Sequence, residues 1–261
     1  SLLPTIPEED TSPNALPSQT RCIAIGRPGG KEQLRIITLQ PGYATCGYNV
    51  ENPSPFIKIT DHLPPNTVVV RVDSFSINYA DCCIRWGLYE SANKFVGWPI
   101  VPGFDIAGIV EQVAGTSGDD ETNKLQVGDK VYGATFFGAY STRVLVPSNQ
   151  LRKVPQGLTL SQAASLPTAC LTALYSLYLG GQFSLSESPT LGNNRSILIH
   201  SAAGGVGSML VQMSKLLKLS KIVGVVGKSN KVEAAKTLGC DVVIDKSQED
   251  LWARAEAVSP K

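Results

Sequence analysis

The sequence predicts an α/β plus β chain: a barrel-like β domain over residues 21–155, then part of a doubly wound parallel sheet over 195–261. Three observations carry this. Short apolar runs punctuated by Gly and Pro fill the first part. From Ser161 onward the apolar spacing becomes helical, and short strands then alternate with helices. Between one strand and one helix lies a glycine-rich turn, Ser201-Ala202-Ala203-Gly204-Gly205-Val206-Gly207.

In order, residues 21–26 read as a strand paired with 31–39 across the turn Pro28-Gly29-Gly30. Residues 67–73 alternate cleanly after Pro64-Pro65-Asn66, and 102–113 form a Gly-interrupted strand. Gly128–Gly133 is a turn into a short strand, and 139–146 is a strand ended by Pro147. Residues 156–194 connect the two parts. A helix begins over 161–166 with Ser161 as cap, a second spans 168–179, and a Gly/Ser-rich loop fills 180–194. The α/β part then runs strand 197–200, helix 206–217, strand 221–226, helix 231–238, strand 242–244 and a weak helix over 248–257. A complete sheet of this kind has six strands. Three parallel strands leave an edge unpaired, so the chain reads as a fragment or as dependent on a partner.

The turn has the pattern A-x-G-x-x-G, with Ala202 in place of the first glycine. Gly204 lets backbone approach a pyrophosphate, Gly207 lets the helix pack close, and the phosphates sit at the helix N-terminus. Ala203, Gly204, Gly205, Val206 and Gly207 are therefore candidate dinucleotide-binding residues. A site for NAD ends its second strand with Asp or Glu on the ribose 2′-hydroxyl. Here that position is Val226, followed by Lys228 and Ser229. A cation and a hydroxyl suit a 2′-phosphate, so NADP (NADPH) is the expected cofactor.

Composition narrows the classes. The 261 residues carry a net charge of +1, which argues against charge-driven binding to nucleic acid or membrane surfaces. No apolar run nears the roughly 20 residues of a membrane span. Residues 1–20, rich in Pro, Ser and acidic residues, read as a disordered leader rather than a signal or transit peptide. Cys22, Cys46, Cys82, Cys83, Cys170 and Cys240 form neither a disulfide framework nor a zinc motif, which points to a reducing, cytoplasmic setting. Of the two histidines, His62 is expected in solvent and His200 beside the cofactor crevice.

Pro102-Gly103-Phe104-Asp105-Ile106-Ala107-Gly108, Val127-Gly128-Asp129-Lys130-Val131 and the glycine-rich turn follow in the order found in medium-chain dehydrogenases/reductases. Asn78-Tyr79-Ala80-Asp81 with Gly87-Leu88-Tyr89 resembles the quinone oxidoreductase branch, near zeta-crystallin and the vesicle amine transport proteins. Residues 238–245 match the segment around the third strand of the nucleotide domain. The resemblance covers about 21–261 and implies a GroES-like catalytic domain before a Rossmann domain. It also implies an active site in the cleft between them. Zinc enzymes of the superfamily carry Gly-His-Glu where this chain has Gly103-Phe104-Asp105, and their cysteine lobe is replaced by an acidic loop at 118–122. The branch therefore implies no metal, and an NADPH-dependent transfer of hydride to a quinone or α,β-unsaturated carbonyl.

By the same resemblance, Asn78 hydrogen-bonds the cofactor or substrate oxygen and Tyr89 donates to the developing enolate. Thr172 lies on the helix facing the nicotinamide, and Lys246 stands near the adenosine phosphate. Plainer roles are a turn residue for Asn78, a rim aromatic for Tyr89, a helix threonine bonded to its own backbone for Thr172 and a solvated cation for Lys246. Asp81 reads as a helix-start carboxylate. The family is usually a homodimer through the edge of the Rossmann sheet; the elements expected there are absent, so dimerisation of this chain is not expected. The alternatives are an NADPH-binding protein without turnover and, more remotely, a zinc alcohol dehydrogenase.

Overall fold

Val-rich alternation after a Pro-Pro-Asn turn makes the central strand of the first unit's larger sheet, and six further strands pair outward from it. The computed structural model describes residues 19–47, 54–59, 63–115, 124–180 and 195–259. It separates into two compact units, Ser1–Pro167 and Thr168–Lys261. Most of the expected leader, His62, the acidic loop 118–122 and nearly all of the 180–194 loop lie outside the described residues.

The first unit holds nine strands among the described residues. They are β1 (Arg21–Ile25), β2 (Leu34–Thr38), β3 (Tyr43–Cys46), β4 (Phe56–Lys58), β5 (Thr67–Phe75), β6 (Asp105–Ala114), β7 (Lys130–Ala134), β8 (Arg143–Pro147) and β9 (Leu151–Lys153). β1 and β2 form an antiparallel pair, and the other seven form one sheet in the order β4-β3-β8-β5-β6-β7-β9. Among the described residues its end strands, β4 and β9, do not pair with each other, so the barrel-like domain is built on an open sheet. β5 pairs with β6 on one side and β8 on the other, both antiparallel. Side chains alternate across a strand. Val68 and Val70 pack with Ile106, Val110 and Val144, while Val69 packs on the other face with Cys46, Leu63 and Leu145.

β3, β4 and β9 were not foreseen: each has only three or four residues, too few for alternation to register. Among the described residues two α-helices lie within this unit, α1 (Tyr79–Arg85) and α2 (Leu160–Ala164). Ser161 is not the cap of α2. Thr159 is: its Oγ1 accepts from the Gln162 N–H at 3.2 Å, and Gln162 Oε1 accepts from the Thr159 N–H at 3.0 Å. That reciprocal pair satisfies two donors a lone serine cannot.

α3 (Pro167–Tyr175) leads into the second unit. There follow β10 (Ser196–His200), α4 (Gly205–Leu216), β11 (Lys221–Val226), α5 (Val232–Leu238), β12 (Val242–Asp245) and α6 (Leu251–Val258). The three strands are parallel in the order β10-β11-β12, with Leu198 opposite Val223 and Val225 opposite Ile244. β11 is central and buried on both faces. One face packs Ile222 and Val226 with Val211, Ala235 and Cys240, and the other packs Val223 and Val225 with Ile244 and Val258. β10 ends the sheet, with His200 exposed and Leu198 38% exposed. Among the described residues no helix is long and apolar enough to cross a membrane.

Candidate functional site

The second unit builds a phosphate-sized turn from backbone. After β10 the chain reverses at Ser201, whose φ of 53° is left-handed, and the Gly204 N–H donates to the Ser201 carbonyl at 2.7 Å. Gly204 is the N-cap of α4, whose first N–H groups have no intrahelical partner. A Cβ on Gly207 would lie 2.2 Å from the Ser201 carbonyl oxygen, so only glycine permits this approach of helix to turn. A Cβ on Gly205 would meet nothing within 4 Å, so the outer side of the turn is open.

That opening leads into a cavity of about 340 Å³. Its floor is Ser201, Ala203 and Gly204, its wall the ends of β10 and β11, including His200 and Val226, and its rim Lys228, Lys231 and Lys246. All three lysines are exposed, and among the described residues none is paired with a carboxylate. Val226, at the position where a carboxylate would exclude a 2′-phosphate, is 1% exposed. Lys231 escaped the sequence reading. Its signal was the spacing Lys228-Ser229-Asn230-Lys231, which forms a single 3-10 turn closed by the Lys231 N–H to the Lys228 carbonyl at 3.0 Å. Ser229 does not line the cavity. Its hydroxyl bonds Asp245, and together with Ser247 it holds that carboxyl below the usual range. Thr172 is exposed on α3 and its hydroxyl makes no hydrogen bond among the described residues; its carbonyl accepts from Ser176 Oγ at 2.8 Å.

The first unit gathers Asn78 and Tyr89 on one short segment, Gly103-Phe104-Asp105. Gly103 has a φ of 93°, a conformation that favours glycine, and turns the chain into β6. Asn78 is the N-cap of α1 and forms a capping box with Asp81, whose Oδ2 accepts from the Asn78 backbone N–H at 2.7 Å. The Asn78 Nδ2 donates to Asp105 Oδ2 at 2.9 Å and to Ser76 Oγ at 3.0 Å, and Ser76 Oγ donates to the same carboxylate oxygen. Tyr89 packs on Phe104 and Phe137, with ring centroids 5.9 and 6.2 Å away. Its hydroxyl has no partner among the described residues.

Asp81 does start a helix, as the sequence suggests, but it also reaches further. Its Oδ1 accepts from the Gly103 N–H at 3.2 Å and its Oδ2 from the Tyr140 hydroxyl at 2.9 Å. Burial pushes the Asp81 carboxyl up, against the pull of these hydrogen bonds. Burial, then the Asp81 charge, raises the Tyr140 hydroxyl far above the usual phenol range, so Tyr140 is a fixed donor. Tyr140, Asp105 and Ser76 were not singled out in the sequence as partners, because the bonds that join them to this network span 27 to 59 residues.

Residues 64–156 match the alcohol dehydrogenase GroES-like domain family, and residues 205–259 match the zinc-binding dehydrogenase family. The chain belongs to the medium-chain dehydrogenases/reductases. Within that family it is 30% identical over 226 residues to a synaptic vesicle membrane protein VAT-1 homolog of Danio rerio, covering 87% of this chain and 42% of that protein. It is 29% identical over 202 residues to a chloroplastic NADPH-dependent alkenal/one oxidoreductase of Arabidopsis thaliana, covering 74% and 48%. The structure of Escherichia coli quinone oxidoreductase complexed with NADPH superposes with a TM-score of 0.69 at 28% identity, covering 92% of this chain and 62% of that one. The chain thus spans less than half the length of both curated relatives.

The zinc in the second family's description does not fit the residues of this member. Phe104, at the histidine position of the Gly-His-Glu motif, offers no donor atom and packs against Phe137 at 5.2 Å. Asp105, at the glutamate position, is 1% exposed and engaged with Ser76 and Asn78.

Proposed function

We propose that this chain is part of an NADPH-dependent reductase that transfers hydride to a quinone or an α,β-unsaturated carbonyl. One observation carries the reading: a backbone phosphate turn opens into a cavity rimmed by three lysines without carboxylate partners among the described residues, with buried Val226 where an NAD site needs a carboxylate. A 2′-phosphate matches that rim in charge, and the N–H groups at the start of α4 match a pyrophosphate. The Escherichia coli quinone oxidoreductase is complexed with NADPH and the Arabidopsis relative is NADPH-dependent, which supports the same choice. When bound, the cofactor supplies the hydride.

The protein's own residues do the rest. Lys228, Lys231 and Lys246 hold the adenosine end, with Ala203, Gly204, Gly205, Val206 and Gly207 under the pyrophosphate. Thr172 offers its hydroxyl to the nicotinamide end. Tyr89 offers its hydroxyl to the substrate carbonyl, where negative charge develops as hydride reaches the conjugated carbon. The aromatic faces of Phe104 and Phe137 beside it suit a flat, conjugated substrate.

The test is a pair of titrations. Lys228→Ala and Lys231→Ala are each expected to weaken NADPH binding, read by its fluorescence, by about tenfold to a hundredfold. NADH binding is expected to stay within about twofold. Equal loss for both cofactors would overturn the 2′-phosphate assignment. NADPH oxidation with 9,10-phenanthrenequinone then separates a reductase from a protein that binds NADPH without turning it over.

A further inference from the structure

Three ammonium groups around one cavity repel one another, so how close they stand depends on what holds the backbone beneath them. They come from two separate turns. Lys228 and Lys231 stand on the turn after β11, and Lys246 stands on the turn after β12. Between the two turns lies Asp245. It closes β12 in register with Val226, the last residue of β11, and is 8% exposed. Its carboxyl reaches both turns. Oδ1 accepts from Ser247 Oγ at 2.6 Å and from the Ser247 N–H at 3.0 Å, one residue past Lys246. The same carboxyl accepts from the hydroxyl of Ser229, one residue past Lys228. The backbone of Asp245 is pinned as well. Its N–H donates to Glu249 Oε1 at 3.1 Å, and its carbonyl accepts from the Gln248 N–H at 2.9 Å. Next to it the Lys246 N–H donates to the Val226 carbonyl at 3.1 Å. The Lys246 side chain then lies over the end of β11, where a Cβ on Gly227 would sit 3.5 Å from its Cε. Asp245 itself does not line the cavity.

We infer that Asp245 is a positioning residue that fastens the turn carrying Lys228 and Lys231 to the turn carrying Lys246, so that ammonium groups from two turns meet one phosphate. The inference deepens the proposed function and rests on it for the ligand, though not for the fastening. It reverses the sign expected of a charge. By charge alone, a carboxylate behind a phosphate site weakens phosphate binding, and removing it tightens the site. A fastening carboxylate does the opposite, because its removal lets the two turns part and the lysines spread. The inference also places Ser229: a hydroxyl engaged with Asp245 supports the site without touching the phosphate.

The experiment measures the NADPH and NADH Kd of the full chain by cofactor fluorescence. Asp245→Ala is expected to raise the NADPH Kd by about tenfold and to leave the NADH Kd within about twofold. Asp245→Asn drops the charge and keeps a group that both serines can bond, so it is expected to hold the NADPH Kd within about twofold of wild type. That rescue separates fastening from charge. The split between cofactors separates it from general loosening of the fold, which weakens both. Ser229→Ala and Ser247→Ala, at exposed positions, each cut one arm and keep the carboxylate, so they need no tolerance of change at Asp245. Each is expected to raise the NADPH Kd by about threefold, and neither to add to the loss in Asp245→Ala. Tighter NADPH binding in Asp245→Ala, or an unchanged NADPH Kd in both serine variants, would overturn the inference. So would a Ser229→Ala loss that adds in full to that of Asp245→Ala, because Ser229 would then touch the phosphate itself.

A second arm needs no cofactor. The side-chain carboxyl ¹³C signal of Asp245, assigned by its loss in Asp245→Asn, is expected to titrate below the usual carboxylate range and to move up in Ser229→Ala. An ordinary midpoint unmoved by that substitution would defeat the fastening. Failure of the wild type to prefer NADPH over NADH, with the low midpoint and its shift intact, would instead defeat the proposed function and leave the fastening standing.

Discussion

The polar groups of the two units are arranged in opposite ways. Around Asn78 in the first unit, buried carboxylates and the Tyr140 hydroxyl, with the half-buried Ser76 and Asn78 side chains, spend hydrogen bonds on one another. Along the rim of the turn in the second unit, three ammonium groups stand exposed and unpaired among the described residues. A satisfied, buried network fixes geometry before any ligand arrives. An unsatisfied, exposed cluster holds its charge for a ligand and costs the fold little. The first arrangement suits positioning, and the second suits binding.

The largest expected effect breaks the second unit at its tightest point. Gly207→Ala would place a methyl 2.2 Å from the Ser201 carbonyl oxygen, backbone against side chain, with nothing flexible to yield. It is expected to cost roughly 3 kcal/mol and to abolish cofactor binding. Gly205→Ala, two residues away and facing open space, is expected to leave the melting temperature nearly unchanged. Similar melting temperatures for the two variants would show that the turn is not held as tightly as its geometry indicates.

Next comes the network of the first unit. Asp81→Ala strands the Gly103 N–H, the Asn78 N–H and the Tyr140 hydroxyl in a buried site. Each stranded group costs about 1–3 kcal/mol, partly recovered if water enters, so a loss of roughly 3 kcal/mol in urea unfolding is expected. Lys228→Ala, from the exposed rim, is expected to fall within about 0.5 kcal/mol of wild type in the same assay. If the lysine variant were the less stable, the contrast between positioning and binding groups would collapse.

The same contrast explains what could be read from the sequence. The nucleotide turn was legible because all its parts lie within seven consecutive residues, Ser201 to Gly207, and the strand and helix around it have clear periods. Lys228 and Val226 were legible for the same reason. The Asn78 network was not, because its partners come together only when α1, the Gly103 turn and β6 pack; Tyr140 is 59 residues from Asp81 and Asp105 is 27 from Asn78. Asp81 was seen in its local role at the helix start, and its distant partners were invisible. Ser229 shows the converse, a local reading to which packing adds a distant partner. Its position beside Lys228 suggested a phosphate ligand, while tertiary packing gives its hydroxyl to Asp245. The edges of the first unit's larger sheet were illegible for a related reason: they are three-residue strands that carry no pattern of their own.

The smallest effect concerns pH and again separates the units. Burial raises the Asp81 carboxyl above its ordinary value, so over the range from that value to the raised one the folded chain holds a proton that the unfolded chain has released. Where the folded state binds more protons, stability falls as pH rises. Protonated Asp81 therefore favours the fold at low pH, and that advantage is lost as pH climbs through the raised value. Asp81→Asn removes the titration and keeps the size of the side chain. The stability of the wild type minus that of Asp81→Asn, from urea midpoints, is expected to fall as pH rises above the ordinary carboxylate value, by less than the Asp81→Ala loss. Lys228→Ala, compared with wild type in the same way, is expected to show a flat difference, because Lys228 takes no part in the Asp81 hydrogen bonds. A wild-type advantage over Asp81→Asn that grew with pH would mean that the hydrogen bonds from Asn78, Tyr140 and Gly103 outweigh burial, and that Asp81 is held as a carboxylate by the network it organises.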